Sequence, residues 1–234
     1  MNTTLPGKMK LTISKEDYLK AIAEAESEEE PVIAATIARW LKITPPAVAL
    51  ALRRLERDKL IRVGRSGAIS LTAAGRQISD RLRKRHHLIE RMLTEILGME
   101  WYKVHDEAER LEHAVSDDLE KKLIQKLGEE GPCPHGNELN TRAAERRKAG
   151  LMLLAEVPAG KRVKVAGMYE RDRSLLEYLD RLGLRPGSQF RVVSRNYDET
   201  MTLNLGAKRV HLGEAAARRV WVRGERPRAG SGTV

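Results

Sequence analysis

Residues 34–71 read AATIARWLKITPPAVALALRRLERDKLIRVGRSGAISL, and the order of signals within them decides the N-terminal fold. Ala34 to Leu41 is a short apolar helix. Lys42-Ile43 makes a tight turn, Thr44 is a capping residue, and Pro45 suits the first position of a new helix. That helix runs to about Asp58, with Val48, Ala51, Leu52 and Leu55 as its apolar stripe. Two short β-patterned runs follow, Leu60-Ile61-Arg62-Val63 and Ala68-Ile69-Ser70-Leu71, joined by the turn Gly64-Arg65-Ser66-Gly67. Just upstream, Ser14-Lys15-Glu16-Asp17 is a capping-box type of start. Tyr18, Leu19 and Ile22 follow it at helical spacing, and the acidic run Glu28–Glu30 with Pro31 ends that helix. Helix, short helix, turn, helix and a two-stranded ribbon, in this order, form the winged helix-turn-helix pattern.

Beyond the ribbon, Thr72 caps a long helical pattern from Ala73 to Leu97, closed by Gly98. A second runs from about Lys103 to Leu127, closed by Gly128. Both exceed the usual helix length, so they are expected to pack on each other or on a partner subunit. Residues 128–150 read as a linker. From Leu151 the period changes to two, over Arg162–Val165, Gln189–Val193, Thr200–Leu203 and Arg219–Val222, with Gly183, Pro186, Gly187 and Gly206 marking turns. A small β-barrel of roughly 75 residues is the expectation. The last ten residues, rich in Gly, Pro, Arg and Ser, are expected to lack fixed structure. The expected class is α+β, mainly helical: a winged helix over 1–75, a helical domain over 76–142, and a small β-barrel domain over 151–226.

Composition narrows the function. The 234 residues carry a net charge of +10, unevenly placed: residues 1–84 hold +6, residues 85–154 hold −3 and residues 155–226 hold +6. Basic lobes suit a polyanion, and an acidic, histidine-bearing middle suits bound cations. One cysteine, Cys133, excludes an internal disulfide framework and favours a reducing compartment. No apolar run of spanning length and no secretory h-region is present, so a cytoplasmic protein with no membrane partner is expected. Neither HExxH, a nucleophile elbow nor a phosphate loop occurs, which argues against a metalloenzyme.

Four of the six histidines lie between His86 and His113, among Glu90, Glu109 and Glu112. On one continuous helix, His105, Glu109, Glu112 and His113 fall within an arc of roughly 100°. His86 and Glu90 form an i, i+4 pair on the preceding helix. Imidazole and carboxylate together suit Mn²⁺, Fe²⁺, Co²⁺, Ni²⁺ and Zn²⁺. The competing reading is a solvated, Glu-rich face with chance His–Glu pairs.

KEDYLKAI (15–22), TPPAVALALRRLERDKLI (44–61), HHLIERML (86–93), VHDEAERLEH (104–113) and GPCPHGN (131–137), in this order, resemble the diphtheria toxin repressor family of iron- and manganese-dependent transcriptional regulators. LGLRPGSQFRVV (182–193) resembles the SH3-like barrel of its longer members and of iron-transport accessory proteins. The resemblance implies a homodimer that binds palindromic operator DNA when loaded with divalent metal and that chiefly represses metal-uptake genes. It implies one metal site at His86, Glu90 and His105, helped by the barrel, for which Glu170 and Asp172 are candidates. It implies a second at Asp17, Glu109, Glu112 and His113. Iron-type members carry Met and Cys at positions 17 and 109, and manganese-type members Asp and Glu, as here. Hard carboxylates in place of soft sulfur favour Mn²⁺. Fe²⁺ is the alternative, with Co²⁺, Ni²⁺, Cd²⁺ or Zn²⁺ as substitutes in vitro. Manganese-type members often carry a further carboxylate where this chain has Lys20, so a two-metal cluster built there is not expected. His87 is expected to be a solvated neighbour, Cys133 and His135 structural, and His211 a surface residue.

For DNA, the helix from Pro45 is the reading element, with Thr44, Pro45, Pro46, Ala47 and Ala49 towards base edges. Ala49 and Leu50 stand where relatives carry Ser and Gln, which leaves few bidentate contacts and more weight on thymine methyls and DNA shape. Thr36, Arg53, Arg57, Arg65 and Ser66 are the candidate phosphate contacts. A winged-helix regulator with an organic effector is the rival. Nine aromatic residues make a poor lining for such a ligand.

Overall fold

The computed structural model describes residues 13–129, 131–139 and 141–225. The Ser14 side chain and the Gly/Pro/Arg-rich tail from 226 lie outside the described residues. The chain forms two compact units, divided between Lys84 and Arg85.

In the first unit, α1 (Ile13–Ser27), α2 (Ala34–Leu41) and α3 (Pro45–Arg57) precede a hairpin of β1 (Ile61–Val63) and β2 (Ile69–Leu71). Leu19, Ile22, Ile37, Val48, Leu55, Leu60 and Ile61 bury their side chains in its core. The α2–α3 turn passes through Lys42 in the left-handed region (φ 54°), and the Ile43 N–H bonds to Ala38 O. The strands pair antiparallel, Ile61 opposite Leu71 and Val63 opposite Ile69. Thr72 Oγ1 donates to Lys59 O and accepts the Gly75 N–H, which starts the next helix, α4 (Ala73–Arg91). A Cβ on Gly75 would lie 2.0 Å from Leu60 O, so only glycine lets α4 start this close to the ribbon.

In the second unit, the end of α4 continues into a π-helical turn, Met92–Ile96. The single helix expected over 103–127 is two: α5 (Val104–Leu111) and α6 (Asp117–Leu127). Ser116 is the reason. Its side chain accepts from Leu119 N and caps a new helix, with Asp117, Asp118 and Glu120 in the first turn, where the helix dipole favours acids. Arg85 ties α4 to this start, through Asp117 and Glu120 at 2.6 Å each. The expected linker contains α7 (Ala143–Lys148).

Six strands then form one antiparallel sheet. They are β3 (Leu151–Leu153), β4 (Arg162–Met168), β5 (Gln189–Arg195), β6 (Met201–Leu205), β7 (Lys208–Leu212) and β8 (Val220–Gly224), in the order β3-β8-β4-β5-β6-β7. Two helices, α8 (Arg173–Leu182) and α9 (Glu214–Ala217), lie between strands, and Leu176, Leu179 and Ala217 join Val163, Val165, Val192, Leu203 and Val222 in the sheet's core. The period-two reading found β4, β5, β6 and β8. It missed β3, whose three residues are too few to show a period, and β7, and it missed α8.

Candidate metal centre

Three segments of the second unit meet around Glu90. The first is α4, which carries His86, His87 and Glu90 on one flank. The second is α5, which carries His105 in its first turn. The third is residues 133–137, laid along β4: the Met168 N–H bonds to His135 O at 3.0 Å, and Asn137 Nδ2 donates to Met168 O at 2.9 Å. Gly136 sits at φ +84°, and a Cβ there would stand 2.3 Å from Ala166 O. A Cβ on Gly167 would stand 2.7 Å from Asn137 Oδ1. Glycine on both sides therefore lets the segment press onto the strand. That placement carries Cys133 and His135 to Glu170, two residues past β4.

His86 Nε2 lies 3.0 Å from His105 Nδ1 and 3.0 Å from Glu90 Oε1, and His105 Nδ1 lies 3.3 Å from the same oxygen. On the other side, His135 Nδ1 is 3.4 Å from Glu90 Oε1 and 3.6 Å from Glu170 Oε2, while Cys133 Sγ is 3.5 Å from Glu170 Oε2 and 3.7 Å from His135 Nδ1. Ligand atoms around one small divalent ion stand about 3.0–3.8 Å apart, so the separations match a coordination sphere. Donor atoms of His87, Glu90, Cys133 and Glu170 also lie within 4.8 Å of one another, as do those of His86, His105 and Glu170.

The surroundings orient these donors. His86 Nδ1 is 2.6 Å from Glu112 Oε2, a contact that orients the ring so that Nε2 faces Glu90. His105 Nε2 points to Glu109 Oε1 at 3.7 Å, and Arg171 Nη1 donates to that oxygen at 3.2 Å. Asn137 Nδ2 donates to Glu170 Oε2 at 2.7 Å, and its Oδ1 accepts from Arg146 Nη2, whose guanidinium lies over the Trp221 ring. Burial pushes the Glu90 carboxyl up, but the charges of His86 and His135 outweigh it and hold the group well below the ordinary carboxylate range. Glu170 is opposed by burial and by Glu90, yet His105, His135 and His87 pull it down to about 2. Burial first, then Glu170 and Glu90, push the Cys133 thiol well above its usual value, so a metal taking the thiolate releases a proton. Glu90 Oε2 and His135 Nε2 are buried and make no hydrogen bond among the described residues. Unpartnered polar atoms at 0% exposure are costly. A divalent cation satisfies an anionic oxygen there, so the donor set fits the metal.

The expected residues divide as follows. His86, Glu90, His105 and Glu170 come together. Asp172 does not join: it is exposed and accepts the Leu175 N–H at 3.0 Å as the N-cap of α8. Glu112 and His113 stand side by side, Glu112 Oε1 to His113 Nε2 at 3.8 Å, in the turn after α5 rather than on a continuous helix face. Asp17 is half-buried on α1 of the first unit. Lys20, where manganese-type relatives often carry an acid, is buried and pairs with Glu24 at 3.9 Å. His87 is 6% exposed, not solvated, because it lies three residues before Glu90 on the same helix flank. Cys133 and His135 are in the cluster, where a structural role was expected. They lie in a tight turn, with the Gly136 N–H bonded to Cys133 O at 2.8 Å, so no helix or strand period marks them in the sequence. His211 is at the surface, with Nδ1 3.2 Å from Thr202 Oγ1.

In the first unit, Thr44, Pro45, Pro46, Ala47, Ala49, Arg53, Arg57, Arg65 and Ser66 are all exposed, on the outer face of α3 and the ribbon tip. Thr36 is the exception. It is 5% exposed, so its hydroxyl is withdrawn from the phosphate-contact set.

Residues 10–68 match the iron dependent repressor N-terminal DNA binding domain, and residues 72–140 match the iron dependent repressor metal binding and dimerisation domain. Over 201 residues the chain is 32% identical to the diphtheria toxin repressor of Corynebacterium jeikeium, covering 76% of this chain and 84% of that protein. This chain belongs to the diphtheria toxin repressor family. It is therefore a metal-dependent, DNA-binding transcriptional repressor with a dimerisation domain, a regulator rather than an enzyme. Within the family, the iron-dependent repressor IdeR of Mycobacterium leprae is 36% identical over 162 residues, 66% of this chain and 70% of that one. A manganese-dependent transcriptional repressor in complex with manganese superimposes with a TM-score of 0.81 at 30% identity, covering 90% of this chain and 100% of that one. ScaR with bound Zn²⁺ gives 0.75 at 28%, covering 89% and 98%. Residues 152–224 match the FeoA domain that gives this family member its C-terminal sheet. No helix among the described residues is long and apolar enough to cross a membrane.

Proposed function

We propose that this family member responds chiefly to manganese and, as a cytoplasmic homodimer on palindromic operators, represses metal-uptake genes. The observation that carries the metal reading is the Glu90 carboxylate: fully buried, with Oε2 unpartnered and Oε1 between imidazole nitrogens. His86, Glu90 and His105 are the proposed donors of one site, with Glu170 from the FeoA part and Cys133 and His135 as further donors. Asp17, Glu109, Glu112 and His113 are proposed as the second set, on donor chemistry and on the family resemblance of those positions. The ion supplies positive charge that neutralises the clustered carboxylates. His86 is held by Glu112, and Glu170 by Asn137, so both are oriented before the ion arrives. The carboxylates of Asp17, Glu109 and Glu112 make the second set a hard site, which favours Mn²⁺. The Cys133 thiol is the specific feature that favours Fe²⁺ as the alternative, since a thiolate is a softer donor. On DNA, the exposed start of α3 is proposed to lie in the major groove, reading thymine methyls through Pro46, Ala47 and Ala49.

The test is an anaerobic gel shift on candidate operator DNA, with chelated protein titrated separately with Mn²⁺ and Fe²⁺. Retarded complex at lower free Mn²⁺ than Fe²⁺ is expected, and EDTA should abolish it. The reverse order would make the protein iron-responsive. Retardation indifferent to EDTA would overturn metal control. Asp17→Ala and Glu109→Ala should each lose the metal-dependent shift, and retention in both would remove the second site.

A further inference from the structure

One face of the FeoA sheet carries five cations in register. Residues opposed across paired strands share a face. Arg162 on β4 is opposite Arg191 on β5, Arg191 is opposite Asn204 on β6, and Asn204 is opposite Arg209 on β7. Two residues along β4 on the same face, Lys164 is opposite Arg223 on β8 and Gln189 on β5. All five cations are exposed. None makes an ion pair among the described residues. Arg191 Nε donates to Gly160 O and Arg209 Nε to Asn204 Oδ1, both neutral. Glu225, just past β8, is the acidic neighbour at the margin, its N–H bonded to Arg162 O.

The arrangement works against folding. Like charges directly opposed across a sheet repel and destabilise the pairing. A solvated face needs polar side chains, not a single sign. Elsewhere in this unit exposed arginines take carboxylate partners: Arg185 with Asp180, Arg218 with Glu214. The face from β8 to β7 is about 19 Å wide at the usual strand spacing, a length over which duplex DNA presents about eleven phosphates.

We propose that this face is a second, sequence-independent contact surface for the phosphate backbone of duplex DNA. The proposal rests on the repressor reading above and adds to it. The DNA-reading unit holds the chain on DNA, and a weak cationic module on the same chain then acts at high effective concentration. Such a surface shows itself in the salt dependence of binding, not in sequence preference.

The experiment uses the full-length protein with four changes, Arg162→Gln, Arg191→Gln, Arg209→Gln and Arg223→Gln. Its control, Arg173→Gln, Arg181→Gln, Arg185→Gln and Arg218→Gln, removes the same charge from exposed positions of the same unit. Affinity for a non-operator duplex is measured over a salt series, with thermal melts confirming that both proteins fold. The slope of log K against log salt becomes shallower by about 0.9 for each phosphate that is no longer neutralised. The face variant should show a change of about 1.8 or more, corresponding to at least two phosphates, and the control should show none. Metal-dependent operator binding should survive in both variants. Its absence from the parent protein would overturn the repressor reading instead, which keeps the two failures distinct. Equal slopes for parent and face variant would overturn the proposal, and if the face variant then loses adsorption to phosphatidylglycerol vesicles, the partner is a lipid surface.

Discussion

Replacing Gly136 by Ala should damage metal binding without touching a ligand. Gly136 lies at φ +84°, and the new Cβ would stand 2.3 Å from Ala166 O, a backbone atom of β4 that has no rotamer to escape through. Ordinary contact begins near 3.4 Å, so the segment must retreat from the strand by about 1 Å. The left-handed backbone alone costs a non-glycine residue about 1–2 kcal/mol, and lifting the segment also strains the Met168 N–H···O=C His135 and Asn137 bonds, each contributing about 1 kcal/mol. A loss of about 2–4 kcal/mol of stability follows. Cys133 and His135 move with the segment, and disturbing groups that orient ligands typically costs about 10–100-fold in metal affinity. The control is Gly206→Ala, also at positive φ (+62°) but with nothing within 4 Å of its Cβ, which should lose only the backbone contribution. Thermal melts of the metal-free proteins and calorimetric Mn²⁺ titrations measure both effects. If Gly136→Ala matches Gly206→Ala in melting temperature and keeps the parent Mn²⁺ affinity, the close approach is not what builds the centre.

In metal-free protein, Glu170 lies at about 2 against an ordinary 4.5. Its contribution, of order 3 kcal/mol, is present above pH 4.5 and is lost as pH falls towards 2. Urea unfolding should therefore show Glu170→Gln destabilised at pH 7 and converging on the parent protein below pH 4.5, and a gap that widens with acid would contradict the sign. Co²⁺ loading should give a near-ultraviolet sulfur-to-metal absorption that Cys133→Ser lacks, whereas an identical spectrum in both proteins would place the thiol outside the sphere. Arg53→Ala and Arg57→Ala should weaken operator and random duplexes alike, each making the salt slope shallower by about 1, and a loss confined to the operator would mean that these arginines read bases.

The first unit was legible because its signals are local. Pro45 after Thr44, the apolar stripe of α3 and the glycine-bounded ribbon turn each act within a few residues. His86, Glu90 and His105 were legible as pairs at helical spacing. The misread places depend on distant contacts or on competing local signals. A helix was carried through Glu112–Val115 because the apolar period continues, while Ser116 with three acids behind it is the stronger local instruction. Asp172 and Glu170 were indistinguishable in sequence. Only the course of the chain after β4 turns one carboxylate towards Asn137 and gives the other a helix to cap. Cys133 and His135 were undervalued because what brings them to Glu90 is a backbone approach at Gly136 and Gly167, and the absence of a side chain leaves no pattern to read.

The enclosure of the centre has a kinetic meaning. His86, Glu90 and His135 are 0–1% exposed, so no ion can reach them by diffusion alone. Capture and release must wait for a local opening, and one element whose lifting would uncover the donors is the segment 133–137, bonded to the Met168 backbone, Glu170 and Arg146. Metal uptake should then reach a ceiling rate as ion concentration rises, set by how often that segment detaches, with release limited by the same event. The occupied state would outlast a brief dip in the surrounding ion, so the regulator would average over fluctuations shorter than its opening time and respond to sustained change.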